Sequence, residues 1–318
     1  MSFSADWLTL REPFDAAARD RAEAGVRESG AGHARLLGGL RGALHADSSG
    51  LCSIVDLGGG TGANLRWLAP RLGGRQQWRV LDHDAALLAA LPGRVAEWAA
   101  VHGWRVTQLA GARPAGSTPP SGVALAVWAN DDAFEVRINA ELIDLAAGID
   151  DLELPRGALV TASALLDLVS AAWFDALALR CRQAQAALLF ALNYDGRIDW
   201  QAADPDDAAV RAAFNAHQRR DKGFGAALGP AAAAHVERRL RLLGYRVHSA
   251  ASDWRIGPAD EAIAVALLAG WTQAAIEAEP AQRPVFERWQ QRRADAIARG
   301  TVRLTVGHTD IAAYLPAP

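Results

Sequence analysis

The sequence predicts an α/β protein built on a seven-stranded, doubly wound sheet, with a helical N-terminal cap ahead of it and a β-hairpin insertion after the second strand. Three observations carry that expectation. Ser53–Leu68 (SIVDLGGGTGANLRWL) passes from β-favouring residues through Gly58, Gly59, Gly60 and Gly62 into a helical pattern that places Leu65, Leu68 and Leu72 on one face. Strand, glycine turn and helix in that order form the first βα unit of an open sheet, whose ligand sits beyond the strand's carboxyl end. Next, WRVLD at Trp78–Asp82 reads as the second strand, and its terminal acid falls 20 residues past Gly62. Finally, TVRLTVGH at Thr301–His308 alternates apolar and polar residues as a half-buried closing strand does.

The glycine turn by itself is ambiguous, because Gly58-x-Gly60-x-x-Ala63 also satisfies the dinucleotide fingerprint. Asp56, two residues before the first glycine, discriminates. A carboxylate at the strand tip repels a pyrophosphate and favours a ligand bearing an ammonium and a sulfonium. The run D-L-G-x-G-x-G therefore resembles the first motif of class I S-adenosylmethionine-dependent methyltransferases, and a nicotinamide or flavin protein is the weaker alternative. The resemblance covers roughly Leu51 to the end. It implies a Rossmann-like methyltransferase fold, S-adenosyl-L-methionine as cofactor, S-adenosyl-L-homocysteine as product, and transfer of a methyl group to a nucleophile.

The chain has 318 residues, enough for a full core, and it divides into a cap at 1–50 and a cofactor-binding domain at 51–318. The formal charge is −3, with acids and bases interspersed and no long basic block, which argues against nucleic acid as a partner. Two cysteines are too few for a disulfide framework, and the N-terminus lacks a signal-peptide core. No apolar run approaches the ~20 residues that span a bilayer. A soluble cytoplasmic protein is expected, with no membrane partner. The eight histidines and two cysteines show no ligand spacing, so no metal is expected. Eleven tryptophans against one methionine suggest aromatic walls, most of them plain core.

Within the cap, helices are expected at Ala16–Arg27 and Ala34–Leu44, after an apolar patch at Trp7, Leu8 and Leu10. In the resembled family such a cap covers the cofactor, and Arg11 or Arg19 would then meet the methionine carboxylate; both also read as ordinary surface arginines. Asp82, an acceptor-only group, suits the two hydroxyls of a ribose edge, with His83 beside it and Asp84 as the cap of the next helix. Helices are expected from there through Leu91 and again at Arg94–His102, followed by a β-like run at Trp104–Leu109. Residues 111–122 read as a turn-rich loop. Val123–Asn130 and Ala133–Ile138, flanking Asp131-Asp132, read as a hairpin, so that an insertion or edge extension occupies about 111–140. Position in the resembled family assigns Asp144 and Leu145 to the adenine.

Ala158–Ser163 reads as a strand buried on both faces, with small Ala162 and Ser163 leaving room at its tip. TASA differs from the (Asp/Asn)-Pro-Pro-Tyr of nucleobase methyltransferases, which again disfavours nucleic acid. The fifth strand is expected at Ala186–Leu192, ending in Asn193-Tyr194-Asp195-Gly196. The polar, glycine-hinged stretch 196–230 occupies the place of a substrate lid. A helix from Pro230, a sixth strand at Tyr245–Ser249 and helices at Asp260–Glu277 and Gln282–Arg299 lead to the closing strand.

The cofactor site is thus expected to hold Asp56, Gly58, Gly60, Gly62, Asp82, His83, Asp144, Leu145, Ser163 and Arg19. Asp167, Tyr194, Asp195 and His217 are the candidates for orienting or deprotonating an acceptor, although a lone histidine or a turn-supporting aspartate is as often structural. The activity implied is methyl transfer to an oxygen or nitrogen of a small molecule. A protein or peptide methyltransferase and a non-catalytic cofactor-binding subunit remain open, as does a homodimer formed through an alanine-leucine helix face.

Overall fold

The computed structural model describes residues 4–25, 36–44, 50–108, 124–128 and 134–316. Five parallel strands form its centre: β1 (Cys52–Leu57), β2 (Arg75–Asp82), β5 (Glu135–Leu142), β6 (Leu159–Ser163) and β7 (Ala187–Trp200). Two strands, β3 (Arg105–Gln108) and β4 (Ala124–Trp128), extend the β5 edge antiparallel. At the other end β10 (Leu304–Tyr314) runs antiparallel to β7, and β8 (Arg246–Ala251) and β9 (Trp254–Ile256) both pair with β10. The order is β3-β4-β5-β2-β1-β6-β7-β10-β8, and the reversal beside β7 is the reversed last strand expected of the sheet.

Alternating side chains of the central strands feed two cores. Ile54, Trp78, Val80 and Leu159 pack beneath α3 (Ala63–Leu72) and α4 (Ala85–Val101), with Leu36, Leu37 and Leu40 of α2 (Leu36–Ala43). Val55, Leu57, Val160 and Phe190 face α5 (Ala171–Gln183) and α7 (Ala232–Leu242). The same alternation turns Asp56 toward α3. A third core forms where β7 and β10 overrun the sheet. There Tyr194, Ile198 and Val306 meet α6 (Asp207–Gln218), α8 (Glu261–Ala278) and α9 (Arg283–Ala298), together with Trp7, Leu10 and Phe14 of α1 (Ala5–Gly25).

Several expectations need correction. The described sheet has ten strands rather than seven. The downstream arm of the expected hairpin is a central strand, since β5 pairs in parallel with β2 along its whole length; only β3 and β4 are an edge extension. The 111–122 loop and the Asp131-Asp132 turn lie outside the described residues. The two helices read on either side of Pro92 are one, α4, and Pro13 likewise sits inside α1. A proline removes one N–H from a helix and does not end it when the rest of the helix packs. The fifth strand does not stop at Leu192. That residue takes φ 55°, a left-handed kink, and the strand then continues through Asn193–Trp200 because β10 pairs with it past two register shifts. The cap also divides: α1 reaches the glycine turn that follows β1, where Leu8 lies against Gly60, whereas α2 lies over β10 and β7.

Trp289 on α9 is 1% exposed, donates Nε1–H to Asp207 at 2.8 Å and meets Trp200 edge-on at 6.1 Å. Trp289→Ala is therefore expected to lower unfolding free energy by about 3–5 kcal/mol, read as a fall in the denaturant midpoint, with ligand affinity retained.

Candidate functional site

The carboxyl ends of β1, β2, β5 and β6 open on one cavity of about 530 Å³. Gly58 and Gly60 form its floor. Asp82, His83, Asp84 and Leu87 line it from β2 and the start of α4; Asp144, Leu145 and Ala146 line it from beyond β5. Ser163, Ala164, Leu165 and Leu168 follow from β6. Leu8 and Arg11 of α1, with Lys222, Gly223 and Phe224, complete the wall. No tryptophan faces this space. Ser163 also lines a neighbouring cavity of about 290 Å³, walled by Arg19, Asn64 and Trp67.

The turn is held by geometry that glycine alone supplies cheaply. Gly58, Gly60 and Gly62 take φ values of 64°, 51° and 82°. Gly59 has ordinary φ, but an added Cβ there would lie 2.5 Å from Val80 Cγ1 and 3.0 Å from Asp56 Oδ2. The Gly60 N–H donates to Asp82 Oδ2 at 2.8 Å, which ties the tip of β1 to the tip of β2. The other oxygen of Asp82 accepts from the Asp84 N–H at 2.9 Å. Asp84 caps α4, its Oδ1 accepting from Ala86 and Leu87 N–H, as the sequence indicated.

Asp56 lies beneath this turn, 0% exposed and not in the cavity wall. Its Oδ1 accepts from Asn64 Nδ2 at 2.7 Å, while Oδ2 has no partner. Burial pushes its pKa up to about 7; the Asn64 hydrogen bond and the Arg19 charge pull down, and Asp82 pushes up. Asn64 is the joint of the site. Its Nδ2 also approaches Thr161 Oγ1 at 3.1 Å, and its Oδ1 accepts from Arg19 Nη1 at 2.9 Å. Arg19 is 2% exposed, stacks on Trp67 at 3.6 Å and lies 3.8 Å from Asp310, yet its Nε and Nη2 have no hydrogen-bond acceptor. Burial lowers its pKa to about 10. A buried anion and a buried cation, each with an open hydrogen-bonding position, thus flank one asparagine.

None of the four candidates for the acceptor lines the cavity itself; Asp167, next to the wall residue Leu168, is within electrostatic reach of the wall cations Arg11 and Lys222. Asp167 is 7% exposed and its Oδ1 is unpartnered; burial pushes its pKa up to about 6, against its own backbone N–H and the charges of Arg11 and Lys222. Tyr194, Asp195 and His217 do not line the wall. Tyr194 is buried and donates its hydroxyl to Asn215 Oδ1 at 2.8 Å. Asp195 is engaged by Arg197 through Nε, Nη2 and the backbone N–H. His217 has both ring nitrogens occupied, Nε2 by Glu277 at 3.0 Å and Nδ1 by Lys222 Nζ at 3.3 Å. Asn64, Thr161, Lys222 and Phe224 were not among the expected site residues. Asn64 carries a sequence signal in retrospect, as the second residue after Gly62 on the helix face toward β1. Ala164, at φ 53° in the wall, carries none.

No family model matches the chain, and no curated relative does either. Solved structures similar to it include the Haemonchus contortus phosphoethanolamine N-methyltransferase 2 with phosphomonomethylethanolamine and S-adenosylhomocysteine, at 13% identity and a TM-score of 0.36. The match covers 84% of this chain and 49% of that one, so the chain spans about half the length of the Haemonchus protein. A cyclopropane synthase from Mycobacterium tuberculosis matches at 12% identity and a TM-score of 0.38, over 86% and 81% of the two chains. The geranyl diphosphate C-methyltransferase of Streptomyces coelicolor, with S-adenosyl-L-homocysteine, matches at 12% and 0.37, over 83% and 71%. Likenesses this distant carry no weight for reaction or substrate.

The buried acid generates a pH-dependent prediction. Folded Asp56 keeps its proton up to about 7, whereas the unfolded chain loses it near its ordinary value of 3.8. Its contribution to stability therefore falls as pH rises between those values, and the loss is complete above about 7. Asn at this position can still accept from Asn64. Relative to the parent, ligand-free Asp56→Asn is expected to gain roughly 2–4 kcal/mol on going from pH 4 to pH 8. Denaturant midpoints of both proteins across that range give the difference; a difference independent of pH would show that Asp56 is not buried as a near-neutral acid.

Proposed function

We infer that the protein is an S-adenosylmethionine-dependent methyltransferase acting on an oxygen or nitrogen of a small-molecule acceptor. The observation that carries this reading is the unpartnered Oδ2 of Asp56 beneath the glycine turn. A cation above that open oxygen draws the buried acid into its ionised form, whereas a phosphate there is opposed by it. Arg19, on the far side of Asn64, offers two open donors, so that the pair complements the ammonium and carboxylate of an amino-acid end. Asp82, with one lone pair of each oxygen already used by backbone N–H groups, retains acceptor capacity for ribose hydroxyls. Asp144 and Leu145 are the neighbours assigned to the adenine, with His83 beside the ribose acid.

When bound, S-adenosylmethionine supplies an electrophilic methyl group on a sulfonium, leaving S-adenosylhomocysteine after transfer. The chain's residues then have three tasks. The glycine turn and Asp82 orient the cofactor, Leu8, Leu168 and Phe224 exclude water, and Asp167 accepts the proton released by a hydroxyl or ammonium acceptor. A carboxylate with a raised pKa and an open oxygen suits that last task better than Tyr194, Asp195 or His217, each already engaged. A cavity of about 530 Å³ roofed by α1 and walled by Gly223 and Phe224 favours a small acceptor over an extended peptide, which needs an open groove.

Calorimetry tests the first half. S-adenosylmethionine is expected to bind and NADH not to bind. Asp82→Ala is expected to weaken S-adenosylmethionine by about tenfold or more, having removed the acceptor for two backbone N–H groups as well as for the ligand. Binding of NADH instead would end the proposal.

The pH profile tests the second half. With an identified acceptor, kcat is expected to rise as pH passes about 6, where Asp167 loses its proton, and to level off above. Asp167→Asn is expected to lower kcat by about 10²–10⁴ with little change in S-adenosylmethionine affinity. An unchanged profile would exclude Asp167 as the base.

A further inference from the structure

Lys222 is the cation of the cavity that the cofactor does not account for. In the reading above, Arg19 beside Asn64 already meets the amino-acid end, and Lys222 does not line the smaller cavity that Arg19 walls. Its Nζ forms no ion pair with any described carboxylate and instead lies 3.3 Å from Nδ1 of His217. An ammonium has no lone pair, so that contact requires His217 to accept at Nδ1 and therefore to carry its proton on Nε2, which faces Glu277 Oε2 at 3.0 Å. The order Glu277, His217, Lys222 thus holds in place the ammonium of a residue that lines the cavity. His217 is a positioning residue. Burial and Lys222 both lower its pKa, which keeps Nδ1 free to accept at neutral pH.

The surroundings of Lys222 leave its charge under-compensated. Burial and the neighbouring Arg220 lower its pKa, while Glu277 and Asp167 raise it. The Glu277 carboxylate, however, is already engaged by His217 and Gln273, while Arg220 donates to the Glu277 backbone carbonyl. Arg11, the other cation of the wall, is held by Asp15 through Nε and Nη2 and adds positive potential to the same space. Asp167, with its open Oδ1, lies near enough to feel both.

We propose that the methyl acceptor is a small organic anion whose carboxylate or phosphate is bound by Lys222, with Arg11 adding to the field, so that its nucleophilic oxygen or nitrogen is presented beside Asp167. This rests on the methyltransferase reading and narrows it to a substrate class. Neutral and cationic acceptors of equal size are disfavoured because they leave the half-buried ammonium with only Glu277, itself engaged, and Asp167 to offset its charge.

The test uses the full chain saturated with S-adenosylhomocysteine. Binding is measured by calorimetry for 4-hydroxybenzoate, anthranilate and glycine, for their amides, and for phosphoethanolamine and ethanolamine. The carboxylates or the phosphate are expected to bind more tightly than their uncharged-end counterparts, with the stronger of those two sets identifying the head group. Lys222→Met is expected to weaken the preferred anion by about tenfold to a hundredfold, leaving S-adenosylhomocysteine affinity unchanged, and Lys222→Arg to restore part of it. His217→Phe is expected to reproduce the loss with the thermal midpoint of the cofactor-bound protein retained. Equal binding of acids and amides, no binding of any anion, or an anion affinity indifferent to Lys222 would each overturn the proposal. If S-adenosylhomocysteine itself fails to bind, it is the methyltransferase reading that falls, and this inference with it.

Discussion

The site depends on a single contact between two strand tips. The N–H of Gly60 reaches Asp82 only because the backbone ahead of it turns through left-handed conformations and because Gly59 has no side chain to strike Val80. That bond sets the height of the glycine turn above β1. The turn in turn seals Asp56 from water, and the sealed carboxylate recruits Asn64, through which Arg19 is drawn in from α1. Each step is local, but together they place opposite charges on either side of one side chain. Burying two charged groups costs several kcal/mol unless hydrogen bonds and a counter-charge offset it. Here the offset is incomplete: Oδ2 of Asp56 and the Nε and Nη2 of Arg19 are left without hydrogen-bond partners.

Much of this was legible in the residues. The strand–glycine–helix unit, Asp82 and its spacing, Asp84 as a helix cap and the small tip of β6 all follow from local rules in which backbone conformation is tied to residue type. What was hidden is what depends on partners distant in sequence. β5 does pair antiparallel with β4, as the expected hairpin requires, but strand pattern does not show that its other edge joins β2 at the centre of the sheet. The polar run after Leu192 was read as the end of β7, since no local signal shows that β10 will pair with it. His217 illustrates the same limit for chemistry. Its residue type suggests a base, but Glu277 and Lys222, 60 residues downstream and five residues on, take both of its nitrogens. Tyr194 and Asp195 are removed in the same way by Asn215 and Arg197. Asn64 and Lys222 were passed over because amide and lysine side chains are common, and only their neighbours distinguish these two.

The tryptophans separate two kinds of order in the molecule. Trp200, Trp271 and Trp289 meet edge to face in the core above the extended strands, while Trp67 carries Arg19 and Arg71 on its ring. None faces the larger cavity. Aromatic mass therefore stiffens the frame around the site and leaves recognition there to carboxylates, cations and the peptide backbone, groups whose strength grows as water is excluded.

The roof helix α1 has two unlike sides. Trp7, Leu10 and Phe14 seat it against the aromatic core, whereas Glu12 binds both Arg66 of α3 and Arg94 of α4, and Asp20 binds Arg71. One edge is thus a greasy seam and the other a row of charge pairs. Rotation about the seam exposes ions that water solvates readily, while sliding off it uncovers rings that water does not. A ligand entering beneath this helix meets a door with its hinge and its latch already assigned by the sequence of a single segment.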